Sequence, residues 1–258
     1  EATKLFNDAQ AMLDKIISEK WLQARAVIGL FPANSVNDDD VEVYADENRE
    51  QLLTTLNFLR QQTRQPPGRP NYCLSDFIAP KETKLPDHIG AFAVTTGIGI
   101  DEHVKRFEAD HDDYNSIMLK VLADRLAEAF AELMHHRMRT EFWAYAKDEA
   151  LDKDELIAEK YKGIRPAPGY PACPDHTEKA KLWDLVEADK NAGISITESF
   201  AMMPASSVSG WYFSNPESRY YAVAKINRDQ VADYAKRKGM SLAETERWLA
   251  PNLGYDAD

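Results

Sequence analysis

Cysteine is scarce in this chain: 258 residues carry two, Cys73 and Cys173. Two thiols build neither a disulfide scaffold nor a four-thiolate zinc site, and their scarcity fits a reducing cytoplasm. Positive charge is also short. Lys and Arg number 31 against 43 Asp and Glu, a formal net charge of −12. Nucleic-acid binders carry a basic face, so that class is disfavoured. No apolar run approaches the ~20 residues of a membrane span, and no charged leader precedes an apolar core at the N-terminus. No GxGxxG follows a strand-like segment, which removes support for a Rossmann cofactor site. Internal repeats and low-complexity linkers are absent too. What remains, 44% hydrophobic and 29% charged, has the composition of an ordinary globular protein. The chain starts at Glu1 with a helical pattern running by Thr3, and reads as a piece of a longer polypeptide.

Periodicity places Leu5, Ala9, Met12, Leu13, Ile16 and Ile17 on one face of a helix over 3–22. Segments 25–31 and 41–44 read as strands, joined through the polar run Asn34 to Asp40 as a hairpin or loop. Leu52, Leu53, Leu56 and Leu59 suggest a helix over 46–63. Segments 73–79 and 89–96 look like buried strands. A short helix is expected over 101–109. A long one from about Asn115 to Tyr145 has Met118, Leu122, Leu126, Phe130, Leu133, Met138 and Phe142 as its stripe. Residues 161–175 match no period. Helix is expected over 177–188, and residues 194–200 and 208–226 alternate like strands of an antiparallel sheet. A helix over 228–238 is stopped by Gly239, and a last one is opened by Ser241 and Glu244 and ended by Pro251. Strands and helices mix without a βαβ beat. That predicts a single α+β domain over 1–258, its central, largely antiparallel twisted sheet flanked by helices.

The most distinctive string is Gly163-Ile164-Arg165-Pro166-Ala167-Pro168-Gly169-Tyr170-Pro171-Ala172-Cys173-Pro174-Asp175-His176. Its four prolines fix φ and remove four backbone donors, so less ordering entropy is lost when something binds. Arg165 offers a fork of donors suited to a carboxylate. Gly169 lets backbone and ligand approach closely, and Tyr170 adds a flat face and a hydroxyl. Taken alone, the loop is equally describable as structural, its arginine paired with a nearby glutamate. His135 and His136 adjoin on a helix, cannot share one face, and read as a solvated or packed pair. His111-Asp112-Asp113 and Asp175-His176-Thr177 read as helix starts rather than metal ligands.

The string RPAPGYPACPDH resembles the signature of the S-adenosylmethionine-binding activation domain of cobalamin-dependent methionine synthases. So do His111-Asp112-Asp113-Tyr114-Asn115, the helix from Ala123 to Phe130, Ser209 to Phe213, and the ending Glu246 to Tyr255. The resemblance implies that the N-terminal part of the module, with a site aspartate, lies upstream of Glu1. It implies that Arg165 holds the methionine carboxylate, that Ala167 and its neighbours meet the adenosine through main-chain atoms, and that Tyr170 lies near the methyl group. Tyr220 and Tyr221 match ligand-contacting tyrosines. Adjacent strand residues face opposite ways, so both side chains are not expected to reach the ligand. Glu128 matches a glutamate that takes the ligand's ammonium; read from the helix alone it is a solvated carboxylate. No catalytic side chain and no metal ligand is assigned.

By the same resemblance the module is a cytoplasmic methyltransferase fragment of methionine biosynthesis. It presents the methyl group of S-adenosylmethionine for reductive methylation of cob(II)alamin to methylcobalamin. The cobalamin sits in a neighbouring domain, the electron comes from flavodoxin or an equivalent reductase, and the zinc lies elsewhere in the parent enzyme. Asp101-Glu102-His103 begins like the DxHxxG cobalamin motif, but Arg106 stands where Gly is required. The isolated module is expected to bind and not to turn over. Flavodoxins are acidic, so a local basic patch is expected to dock one, either including Lys or Arg from segments such as Lys225 to Arg237 or supplied by the cobalamin domain. A free-standing S-adenosylmethionine sensor or reactivation protein is the alternative.

Overall fold

The computed structural model describes residues 1–257. Among the described residues eight α-helices run α1 (Ala2–Glu19), α2 (Ile100–Ala109), α3 (Asp113–Arg137), α4 (Lys153–Ile157), α5 (Glu178–Val186), α6 (Ala188–Ala192), α7 (Arg228–Lys238) and α8 (Leu242–Trp248). The strands among them are β1 (Gln23–Val36), β2 (Asp40–Tyr44), β3 (Leu52–Asn57), β4 (Asp87–Ile98), β5 (Ser195–Ile196), β6 (Met202–Met203) and β7 (Ser207–Tyr212). Five of them form an antiparallel sheet in the order β3-β2-β1-β4-β7, and β5 and β6 pair separately. The α+β expectation holds. Two compact units divide the residues. One comprises Glu1–Ile28, Phe92–His136 and Val186–Ser209; the other comprises Gly29–Ala91, Arg137–Leu185 and the chain from Gly210 onward.

In the first unit, Met12 and Ile16 of α1 are buried with Trp21, Val104, Met118 and Leu119, while Leu5 and Ile17 of the same helix are exposed. The buried stripe of α3 is Leu119, Ala123, Ala127 and Ala131, offset from the expected Leu122, Leu126 and Phe130; Leu133 and Phe142 are exposed. Alanine at four-residue intervals allows a close approach, and Thr96 Oγ1 donates to the Ala123 carbonyl at 2.7 Å. Asp112 starts α3 by accepting from the Asn115 amide at 3.1 Å, which is the capping role expected there.

Several segments depart from the periodicity, among them 208–226, where the strand ends at Tyr212. The leucines of 46–63 suit a helix, but Asp46 accepts from the amides of Glu50 and Gln51 and folds a turn. Thr54 and Thr55 then follow in β3, which pairs antiparallel with β2; β-branched residues and an available strand edge override the helical spacing. The expected strand 73–79 is a short 3-10 helix, Leu74–Phe77. Asp76 reaches back to the Cys73 amide at 2.8 Å and pairs with Arg60 at 2.7 Å. The long helix stops at Arg137 and unwinds through a π turn, Met138–Phe142. The hairpin between β1 and β2 is as expected, with Asn37 and Asp38 in the left-handed region.

The second unit packs Leu59, Val223, Ile226, Val231, Tyr234, Leu249 and Leu253 together. Beside this core lies a buried charge network. Lys238 Nζ donates to Asp175 Oδ2 at 2.6 Å, Thr177 Oγ1 at 2.5 Å and Glu178 Oε1 at 2.6 Å. Lys181 Nζ donates to the Thr55 carbonyl, Asn57 Oδ1 and Glu178 Oε1 at 2.7, 2.7 and 2.8 Å. Each ammonium has three hydrogens, and each is used. Two cations face two carboxylates. Burial alone would raise the Asp175 carboxyl; Lys238, Thr177 and Tyr234 outweigh it and hold the group below its ordinary range. Burial likewise works against the Lys238 ammonium, and its two carboxylate partners raise it.

Lys238→Met should therefore cost about 3–5 kcal/mol of unfolding free energy in urea, because it leaves buried carboxylates without their cation. The signs fix the pH window. Asp175 is depressed, so its contribution is complete above the ordinary carboxylate pKa and is lost as pH falls through the folded value. Lys238 is raised, so its contribution is complete below the ordinary ammonium pKa and is lost at higher alkaline pH. The wild-type to variant difference should shrink as pH falls, because burial without Lys238 pushes the carboxylates up and protonation relieves the variant before it reaches the wild type. A difference under about 0.5 kcal/mol, the range of ordinary surface substitutions, contradicts the network's structural weight.

Candidate functional site

The Pro-rich segment has no regular secondary structure, yet its backbone is tied down along its length. Ile164 exchanges two main-chain hydrogen bonds with Phe213, both 3.0 Å. The Pro166 carbonyl accepts from the Trp211 amide at 2.8 Å, and the Pro171 carbonyl from the Val223 amide at 2.8 Å. Between these points a tight turn closes on itself through Tyr170 N to Ala167 O, Gly169 N to Cys173 O and Cys173 N to Tyr170 O. Asp175 then enters the charge network. The loop is stiff through its prolines and through its anchors.

Arg165 is half-buried at the start of the turn. Its amide donates to Tyr220 Oη at 2.9 Å and its Nη1 to Tyr161 Oη at 3.2 Å. The two tyrosine hydroxyls are 3.3 Å apart. Tyr170 stands 59% exposed beyond the turn, its ring offered to the outside. Arg165, Ala167, Gly169, Tyr170 and Tyr220 are thus brought together. Tyr221 is not: its ring packs 5.9 Å from Tyr72 against the hydrophobic core, and its buried hydroxyl has no hydrogen-bond partner among the described residues. The two tyrosines do diverge, but neither lies in a strand, because the chain after Phe213 is irregular. Glu128 belongs to the first unit. It is exposed on α3 and lines a cavity of about 400 Å³ with Arg125, Ser207 and Val208.

Gly169 needs a different reason from the expected one. Its φ is +93°, and an added Cβ would stand 2.5 Å from His176 Nδ1 and closer still to Cε1. The space beside this glycine is filled by the imidazole of the same loop, so ligand approach does not explain it. Burial, then Lys179, hold the His176 ring below its ordinary pKa, leaving it neutral at pH 7. Burial raises the thiols of Cys73, to about 12, and Cys173, well above its ordinary value. Both are inert as nucleophiles at neutral pH. His103, read as the histidine of an incomplete motif, stacks on Trp21 at 4.5 Å, with Arg106 4.9 Å over the same indole. Of the four basic side chains in the segment Lys225 to Arg237, at least two are engaged within the fold. Lys225 donates to the Pro251 and Leu253 carbonyls, and Arg237 pairs with Asp40 and Asp233.

Sequence reasoning passed over Tyr161 and the pair Arg139–Glu149. Tyr161 sits four residues before Arg165, just outside the Pro-rich string. Arg139 lay within what read as one long helix. Its neighbour in that helical reading is Trp143, whereas its partner across the π turn is Glu149, at 2.7 Å.

Fold and loop together define a class: an α+β module with a rigid Pro-rich turn that carries a tethered guanidinium and an exposed tyrosine. The family model described as "Vitamin B12 dependent methionine synthase, activation domain" matches residues 1–239, and the chain belongs to that family. It is also similar to a protein whose crystal structure is that of the MetH reactivation domain bound to AdoHcy. The two share 62% sequence identity with a TM-score of 0.95, over 99% of this chain and 78% of that one. Membership sets the chain in the context of a methyl-transferring enzyme, and the cobalamin domain of such an enzyme is its partner. No helix among the described residues is long and apolar enough to cross a membrane.

Gly169→Ala should lower stability by about 1–3 kcal/mol, combining the positive φ with the collision at His176. Adding His176→Ala should recover the steric part and leave about 1 kcal/mol from φ. Thermal or urea unfolding of both variants reads this directly. A Gly169→Ala protein as stable as wild type, yet impaired in ligand binding, would restore the ligand-approach explanation.

Proposed function

We propose that this module binds S-adenosylmethionine on the Pro-rich loop and presents its methyl group to cobalamin carried by a neighbouring domain. The single observation that supports this most is Arg165: its amide and its guanidinium are each held by a tyrosine hydroxyl, beside a turn too rigid to need ordering. A fixed fork of donors suits the ligand's carboxylate. Ala167 and its neighbours offer main-chain groups to the adenosine. Tyr170 supplies an exposed ring near the sulfonium, where a π face attracts positive charge. Tyr220 contributes beside Arg165, Gly169 shapes the turn itself, and Tyr221 packs on the core. The similar reactivation domain is bound to AdoHcy, which carries the same carboxylate, ammonium and adenosine without the methyl group.

The bound cofactor of the neighbouring domain supplies the nucleophile in this reading. The residues of this chain orient the sulfonium and nothing more, so no acid or base is required of them. The module alone therefore binds without turning over, and acts only with the cobalamin domain and a reductant such as flavodoxin. It is a cytoplasmic component of methionine biosynthesis in this reading.

Titration calorimetry with S-adenosylmethionine tests the assignment. Arg165→Ala should weaken binding by roughly 10- to 150-fold, the ~1.5–3 kcal/mol of a charge-assisted contact. Arg165→Lys should also bind poorly, since a point charge does not reproduce the fork. Wild-type affinity in both variants, with unfolding unchanged, removes the carboxylate clamp.

A further inference from the structure

Arg165 sits in a closed hydrogen-bonded circuit. Its amide donates to Tyr220 Oη, its Nη1 to Tyr161 Oη, and the two hydroxyls meet at 3.3 Å. Main chain and side-chain tip of one arginine are thereby bridged by two phenols. Tyr161 is buried, and its ring has a guanidinium on it: Arg139 lies 4.5 Å from the centroid. Arg139 is wholly buried and forms a bidentate pair with Glu149 at 2.7–3.0 Å. Its Nη1 has no hydrogen-bond partner among the described residues, and the Tyr161 ring lies over the guanidinium. The layers run Glu149, Arg139, Tyr161, Arg165.

We infer that Tyr161 is a positioning residue for ligand binding: held on the Arg139–Glu149 pair, its hydroxyl sets the Arg165 guanidinium where the ligand's carboxylate arrives. The inference rests on the carboxylate-clamp reading of Arg165. An arginine free to explore its rotamers loses that freedom on binding, whereas one already fixed does not. A hydroxyl is well suited to the task, because it accepts from the guanidinium without neutralising its charge. The π turn that ends α3 is what turns Arg139 toward Glu149 and beneath the ring. Tyr161 has no contact with ligand in this scheme and acts only through Arg165.

The test is a double-mutant cycle on the 258-residue chain, with Tyr161→Phe, Arg165→Ala and the double variant titrated with S-adenosylmethionine. Phenylalanine keeps the ring over Arg139 and removes the hydroxyl, so the urea midpoint should stay near wild type. Tyr161→Phe should weaken S-adenosylmethionine about 3- to 10-fold, the scale of one immobilised side chain. It should weaken it no further in the Arg165→Ala background, and leave affinity for decarboxylated S-adenosylmethionine unchanged. Additive losses, or equal weakening of the decarboxylated ligand, would show that Tyr161 acts independently of the clamp and overturn the inference. Wild-type affinity in Tyr161→Phe alongside weak binding in Arg165→Ala overturns it while the clamp stands. Wild-type affinity in Arg165→Ala fells the clamp, and the role of Tyr161 with it.

Discussion

The burial of Lys238 is the constraint on which the second unit turns. An ammonium out of water is tolerable only when its hydrogens are matched by acceptors and its charge by carboxylates. Lys238 meets both conditions with atoms from three consecutive stretches: the end of the loop at Asp175, the start of a helix at Thr177, and α5 at Glu178. Glu178 in turn receives Lys181 and the Asn57 amide, and Asn57 donates to Asp40. No member is dispensable, because removing one strands another. Such a network forms as a whole, so the end of the loop, α5, α7 and β3 are fixed in one register.

That register explains how a loop without secondary structure holds a fixed shape. Its prolines lack amide hydrogens but keep their carbonyls, and Pro166 and Pro171 use them as acceptors for Trp211 and Val223. The N-terminal half is thus anchored by main-chain pairing and the C-terminal half by ion pairs. Between the anchors, Gly169 supplies the one backbone conformation that a side chain would resist, and His176 fills the space that its missing side chain leaves. Rigidity is distributed among covalent rings, hydrogen bonds and packing, so the entropy of ordering the site is largely met during folding rather than during binding.

How much of this was legible in the sequence follows from how local each signal is. The helix 228–238 with Gly239 beyond it, the Ser241 cap, the Asp112 cap and the Asn37–Asp38 turn are decided by neighbouring residues, and each appears where the pattern put it. The Pro-rich string declared a rigid loop for the same reason. Segment 46–63 failed because its leucine spacing serves either period, and the choice fell to pairing with β2, which is not local. Segment 73–79 failed because one carboxylate, Asp76, closed a turn that the apolar run concealed. The role of Gly169 was misassigned because His176, seven residues away, fills its space only once the turn is closed. Arg139 and Tyr161 were invisible for a related reason: a π turn shifts the helical phase, and nothing in the residues from Met138 to Phe142 announces one.

The same bookkeeping bears on the molecule's outer field. A count of 31 basic residues suggests some positive surface even at a net charge of −12. Yet Arg139, Lys181, Lys225, Arg237 and Lys238 are occupied by internal carboxylates and carbonyls, and Arg60 is held between Asp39 and Asp76. Cations used to close loops and seat helices contribute less to the field outside, because their paired charges cancel over a short distance. At physiological salt, where exposed charges are screened beyond about 8 Å, an approaching partner meets local patches rather than the total. Basic side chains in this chain are therefore best read by what they are bonded to. In the run from Lys225 to Arg237, for example, Arg237 is paired with Asp40 and Asp233, whereas Lys225 is held by neutral carbonyls and keeps its charge uncancelled.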